Sequence, residues 1–315
     1  MKYIKKLFLL CTQLLRLSIL IGFITFLTGC SSTRLLYTFL DTFIEDEVTY
    51  FLDLNKNEKL QLGQEVSEMV VWHKKNMLPK YASYLSNTAD MIEMEKYGSS
   101  DISKILTNGQ FLIEETVIGL TPYASRFLIK HQTVKSIKFM KNRMLTRRQE
   151  RITELSKTNN ILYKERLERF TKNFERFLGE LTGPQVKLIK LHANETLKEP
   201  RIRLHNRTLR QKVFIRFLIT KPTEAELTLY LNKLLLTGYL ITNPGYKDFS
   251  ETSLNRFRKL LIKILAISSK KQREIIIRKL RDYANDFKTV SLGGNVGDTK
   301  LQNQGSNSRD SEDSR

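Results

Sequence analysis

The side chains best suited to hold a metal or act as a nucleophile are few in this sequence: four histidines and two cysteines in 315 residues. His131, His192 and His205 lack the i, i+4 pairing by which a helix builds a zinc site. His192 and His205 read as neighbours across a helix turn, but nothing supplies the carboxylate of such a motif. His73 follows Trp72 in an amphipathic stretch with Val66, Met69, Val70 and Met77, a spacing that predicts core packing with a histidine at the surface edge. Asp41, Glu45 and Asp46 fall on neighbouring helical positions; they can hold a cation, and the simpler reading is a solvated acidic face. No Gly-x-Ser-x-Gly elbow, P-loop or Rossmann glycine pattern is present. The residues therefore predict no catalytic group, no metal site and no cofactor, and a protein that is not an enzyme.

One residue does carry chemistry. Lys2, Lys5 and Lys6 form a positive n-region, and Gln13 and Arg16 interrupt the apolar stretch that follows from Leu7. The uncharged run from Leu17 to Thr28 has the length of a signal-peptide h-region. It ends in Leu27-Thr28-Gly29-Cys30, followed by Ser31 and Ser32. That tetrapeptide resembles the bacterial lipobox, in which small residues admit a peptidase to the bond before a lipid-modified cysteine. The Cys30 thiol would take a diacylglyceryl group and its freed amine a third acyl chain, such as palmitate. Several chains anchor stably, because each buried methylene adds about 0.8 kcal/mol. The competing reading is an uncleaved transmembrane anchor over Leu7 to Thr28, with Arg16 costly near its middle. Such an anchor has no use for Leu-Thr-Gly-Cys. Cys11 lies in the removed segment, so the mature chain would keep no free thiol and no cysteine nucleophile. Ser31, where an Asp would resemble an inner-membrane retention signal, favours the outer membrane, facing the periplasm.

The chain carries 53 Lys and Arg against 33 Asp and Glu, a formal charge of +20, unevenly placed. Asp41 to Met69 holds eight acidic residues and two lysines, whereas Lys130 to Arg176 holds fourteen basic residues and five glutamates. Lys187 to Lys221 has ten basic residues against Glu195 and Glu199 alone. The pattern is an acidic head followed by a basic body. Lys135, Lys138, Arg147, Arg148, Arg151, Arg203, Arg207 and Arg210 are the candidate anion-binding surface. The expected partners are the membrane, through the lipid, and an anionic envelope component or acidic protein patch. Nucleic acid is not expected, since a chain outside the cytoplasm rarely meets it and no recognised binding motif is present.

These residues need a scaffold, and its periodicity is helical. Leu167, Phe170, Phe174, Phe177 and Leu181 are spaced 3, 4, 3 and 4, a single apolar stripe. Alternating strands bounded by hairpin turns are absent. The fold class expected is all-α, an elongated multi-helix bundle. Capping boxes, in which a small polar residue is answered by Glu or Gln three residues on, mark helix starts at Asn55…Glu58, Thr146…Gln149, Thr182…Gln185, Thr223…Glu226 and Ser269…Gln272. Breaks are expected at Gly98-Ser99-Ser100, Leu120-Thr121-Pro122, Thr158-Asn159-Asn160, Gly183-Pro184, Glu199-Pro200 and Asn243-Pro244-Gly245. Helices are predicted at 33–53, 56–96 with Pro79 as a kink, 101–118, 122–156, 160–181, 184–197, 200–220, 223–240, 250–267 and 270–288. Thr146 either splits the fourth or lies within it. The organisation is a lipoprotein signal peptide at 1–29, a helical domain at 30–290 and a disordered tail at 291–315, rich in Gly, Asn, Ser and Asp.

Leu145-Thr146-Arg147-Arg148-Gln149 and Leu181-Thr182-Gly183-Pro184-Gln185 share the form Leu-Thr-x-x-Gln, with Ser269-Lys270-Lys271-Gln272 a weaker echo. This is similar to an element of small helical periplasmic stress chaperones, and a good helix start explains it equally. Tyr37-Thr38-Phe39-Leu40-Asp41, Phe51-Leu52-Asp53-Leu54, Val71-Trp72-His73 with Leu78-Pro79-Lys80-Tyr81-Ala82, Phe177-Leu178-Gly179-Glu180-Leu181-Thr182, and Leu204-His205-Asn206-Arg207 with Arg210-Gln211 follow the lipobox in order. Together they resemble a family of all-helical proteobacterial lipoproteins classed as a domain of unknown function, over most of Cys30 to about Val290. Phe177 stands where members of that family often have Trp. The resemblance implies address and fold, and brings no catalytic residue. The expected function is a lipid-anchored, non-enzymatic binding or scaffold protein of the envelope, with a periplasmic chaperone as the alternative.

Overall fold

A computed structural model describes residues 32–293, which are all-α with no strand among them. The helices are α1 Ser32–Thr38, α2 Leu40–Phe51, α3 Lys56–Asn76, α4 Leu78–Glu93, α5 Ser99–Leu128, α6 Val134–Leu155, α7 Asn159–Leu178, α8 Gly183–Glu195, α9 Glu199–Ile219, α10 Glu224–Leu236, α11 Tyr246–Ala266 and α12 Lys270–Ser291. Short 3₁₀ turns occupy Ile129–His131 and Gly238–Ile241. The signal peptide, the lipobox residues Leu27, Thr28 and Gly29, Cys30 itself and the tail beyond Gly293 lie outside the described residues.

Four of the five expected capping boxes start helices: those of Asn55, Thr182, Thr223 and Ser269. The fifth does not. Thr146 lies inside α6, where its hydroxyl donates to the Asn142 carbonyl one turn back, at 3.1 Å, so the helix passes through. The expected break at Leu120-Thr121-Pro122 is also absent, because α5 runs through Pro122. Proline removes the amide that would bond the Ile118 carbonyl. The Thr121 hydroxyl lies 3.1 Å from that carbonyl and 2.7 Å from Asn232 Oδ1 on α10, so its one proton reaches either acceptor. The real break comes later, at Ile129–Thr133, where the Thr133 hydroxyl caps α6 by accepting the Ser136 amide at 3.1 Å. The predicted 33–53 helix is divided at Phe39, and the kink expected at Pro79 appears as a reset at Met77, with Pro79 in the first turn of α4.

Two apolar cores form. One gathers Leu62, Val66 and Val70 of α3, Phe127 of α5, Ile137 and Met140 of α6, Ile215 and Leu218 of α9, and Leu227 and Leu231 of α10. The other gathers Ala89 and Ile92 of α4, Ile102 of α5, Phe174 and Leu178 of α7, Ile189 of α8, Leu260 and Ile264 of α11, and Ile276 and Leu280 of α12. The stripe on α7 faces this second core as expected, Leu167, Phe170, Phe177 and Leu181 packing around it. Helix α5 serves both cores. Ile102 and Phe127 are 25 residues apart, about 38 Å at 1.5 Å per residue, so α5 alone spans from one core to the other.

The α3–α5 contact depends on a glycine. A Cβ on Gly119 would lie 1.8 Å from Cη2 of the Trp72 indole, which rests on the bare backbone of α5. Gly119→Ala gains up to about 1 kcal/mol of helix propensity. Displacing the indole from a packed contact costs about 1–3 kcal/mol. Chemical denaturation is therefore expected to show a net loss of about 1 kcal/mol, reversed when Trp72 is also replaced by Leu.

Candidate anion-binding site

The fold brings the acidic head against the basic body and uses part of both. Arg147 of α6 pairs with Glu47 of α2 and lies 4.1 Å over the Tyr50 ring. Lys135 meets Asp53 at 3.2 Å, and Arg126 of α5 bridges Glu65 and Glu68 of α3 at 2.8 and 3.0 Å. Arg151 pairs within α6 with Glu154. Of the eight residues expected to form one basic surface, Lys135, Arg147 and Arg151 pair with carboxylates open to solvent, and Arg203, itself half exposed, pairs with the buried Glu199. Lys138 is exposed near the start of α6, about 20 Å along that helix from Arg151.

The strongest charge cluster is centred on a residue that the sequence marks only as a helix start. Glu199 opens α9 and is 5% exposed. Its Oε2 accepts from Arg203 Nη2 at 3.0 Å and from Ser253 Oγ at 2.9 Å, and its Oε1 from Arg256 Nη1 at 3.3 Å. Arg166 of α7 approaches to 4.0 Å, donates to Thr196 Oγ1 at 2.8 Å and stacks on Phe170. One carboxylate thus faces three guanidinium groups. Burial, with Arg169 and Arg203 nearby, holds the Arg166 guanidinium below its ordinary range against the pull of Glu199. The carboxylate at the first turn of α9 also suits the helix dipole.

From this node, α9 runs out with a cleft on each side. Towards α6, Arg148, Arg201, His205 and Thr208 line a groove of about 240 Å³. Towards α10 and the start of α11, Arg203, Asn206, Arg207, Arg210, Gln211, Phe214, Leu234, Leu235 and Tyr246 line one of about 370 Å³. Positions 203, 207 and 210 share a face through the helical repeat. Arg207 and Arg148 are exposed and make no ion pair among the described residues. Arg210 reaches over Gly238, where a Cβ would stand 2.9 Å from its Nε, and donates to the Leu235 carbonyl at 3.5 Å. Of the eight expected basic residues, Arg203, Arg207 and Arg210 line this cleft and Arg148 the other. Arg201, Asn206 and Gln211 of α9 and the leucines of α10 were not among the residues expected.

Three of the four histidines go to packing, and His205 lines the groove towards α6. His73 bridges the Tyr37 and Tyr81 hydroxyls at 3.2 and 3.4 Å, His131 packs on the Phe127 ring, and His192 lies between Phe170 and Phe257. Burial lowers the affinity of all three for a proton, Glu58 partly opposing it at His131, and Arg166 reinforcing it at His192. Each binds its proton more readily in the unfolded chain, so their stabilisation is complete above the unfolded value of about 6.5 and is lost as pH falls below it. The denaturation midpoint is expected to be lower at pH 5 than at pH 7, and His131→Leu should make that slope shallower. Among the described residues no group of His, Cys, Asp and Glu could hold a metal ion, Asp41, Glu45 and Asp46 included. No described helix is long and apolar enough to cross a membrane.

The Leu181–Gln185 element and the Ser269–Gln272 echo meet in a structural joint, whereas Leu145–Gln149 lies within α6. Gln185 is fully buried and Gln272 is 5% exposed; each side-chain amide donates to the other's carbonyl oxygen, at 3.0 and 2.9 Å. The sequence model of a family of unknown function, DUF6279, matches residues 50–237. No curated protein and no solved structure matches the chain.

Proposed function

The chain belongs to DUF6279, a family of unknown function, and from its own residues we propose a lipid-anchored bacterial envelope protein that works by binding rather than by chemistry. The observation that carries this reading is the pair of arginine-lined clefts along α9, in which Arg148 and Arg207 have no carboxylate partner among the described residues. Guanidinium groups recognise phosphate and carboxylate bidentately, which suits an anionic envelope surface or partner. The address rests on Leu27-Thr28-Gly29-Cys30, and the outer membrane facing the periplasm is the location that Ser31 favours. Two features of the first described helices support a body held near a bilayer. Arg34 of α1 donates to Asp286 of α12 at 2.8 Å, tying the segment after Cys30 to the fold. Leu36, Phe39 and Phe43 are more than half exposed, an apolar face within thirteen residues of Cys30.

Intact mass of the detergent-extracted protein tests the address, beside a Cys30→Ala variant. A species beginning at Cys30 with added acyl mass, absent from the variant, is the expected result. A full-length, unmodified Met1 chain would overturn it. Salt-sensitive association with envelope fractions is expected of the binding role, and association indifferent to salt would count against it.

A further inference from the structure

Resting on that reading, we propose that the α9–α10 cleft is the recognition site, and that its ligand is an amphiphile bearing a phosphate monoester. Arg207 and Arg210 stand three residues apart on one face of α9, with Arg203 one turn earlier and held by Glu199. A phosphate monoester carries up to two charges and three acceptor oxygens, enough to engage Arg207 and Arg210 together, with the Gln211 amide beside them. The rest of the lining is largely apolar: Phe214 further along α9, and Leu234 and Leu235 of α10, with Leu235 49% exposed.

The division of polarity selects the ligand. A free phosphate would use the arginines and leave the leucine wall in water, whereas an alkyl or acyl chain next to the phosphate covers it, at about 25 cal/mol per Å² of apolar surface. A bare hydrocarbon would leave the guanidinium groups unmatched. The site also contains a buried polar group without a partner: Asn206, 4% exposed, lines the cleft, and its Oδ1 accepts no hydrogen bond within the described residues. The Nε of Arg210 is likewise buried and without a partner within the described residues. The cleft towards α6 has arginines of its own, Arg148 and Arg201, and is smaller, with Ile152, Leu155 and Leu204 set among them and His205.

The test is calorimetric titration of the detergent-extracted full chain with dihexanoyl phosphatidic acid, and separately with inorganic phosphate. The lipid should bind at least tenfold more tightly. Arg207→Gln and Arg210→Gln should each weaken it about tenfold, and Leu235→Ser should weaken the lipid while leaving inorganic phosphate unchanged. Lys172→Gln, an exposed lysine of α7 outside both clefts, should leave both alone. Equal affinity for lipid and inorganic phosphate would overturn the amphiphile assignment. Lipid binding insensitive to Arg207 and Arg210 would overturn the cleft. If vesicle association remains salt-sensitive while these variants have no effect, the cleft assignment fails and the broader envelope-binding role stands. If association is salt-indifferent throughout, that role fails as well.

Discussion

Glu199→Gln is expected to lower the stability of the folded chain by about 3 kcal/mol, the lower end of what breaking a buried pair costs. The glutamine keeps the volume and one carbonyl oxygen, so a hydrogen bond to Ser253 can survive. What it loses is the one negative charge facing Arg166, Arg203 and Arg256. Arg203 and Arg256 have side chains 51% and 40% exposed and can turn towards water. Arg166, at 16%, cannot rehydrate without leaving Phe170 and Thr196. Most of the loss therefore comes from one guanidinium stranded in the interior. Urea denaturation checks this against Arg203→Gln, which removes a partly solvated partner and should cost less than about 1 kcal/mol. If both variants cost the same, the node is an ordinary surface pair. A double variant, Glu199→Gln with Arg166→Leu, should recover part of the loss, because it removes the stranded charge with its partner.

The node also shows where the sequence stops being legible. The all-α class, the four caps and the α7 stripe follow from spacings of three and four residues, which a helix imposes locally. The same locality placed Arg203, Arg207 and Arg210 on one face. It failed at Pro122, where the Thr121 hydroxyl meets Asn232 of α10, far along the chain, and α5 continues. At Thr146 it left two outcomes open, and the continuous helix is the one found, in a segment that has no breaker to stop the preceding turn. Glu199 was visible only as one of two acids in a basic run. Its role depends on Arg166, Ser253 and Arg256, which α7 and α11 supply, and no local pattern predicts that meeting. For the same reason the acidic head and basic body looked like separate fields, although Glu47 and Arg147 join them.

Gln185→Leu is expected to be nearly as damaging, at about 3 kcal/mol, and it tests whether the Leu-Thr-x-x-Gln spacing here serves packing. The two glutamines are mutually satisfied. Gln185 Oε1 accepts from the Thr182 amide at 3.0 Å and from Gln272 Nε2, while its own Nε2 donates to Gln272 Oε1 and approaches Ser268 Oγ at 3.3 Å. Gln272 mirrors this, its Oε1 accepting from the Ser269 amide at 3.1 Å and its Nε2 donating to the Glu180 carbonyl at 2.8 Å. Leucine at 185 removes a cap bond from α8 and leaves one N–H of Gln272 unmatched in the interior, at about 1–3 kcal/mol before relaxation, while the Gln272 oxygen keeps the Ser269 amide. Gln272→Leu should cost a similar amount for the same reason. The double leucine variant should then be less destabilised than the two singles added together, by more than about 1 kcal/mol, since both halves of the unmatched pair are gone. Strict additivity in a double-mutant cycle would mean that the amides act independently as caps. Non-additivity of the expected sign would make this joint the link that holds the starts of α8 and α12 together, and with α12 the Asp286 contact to the segment that follows Cys30.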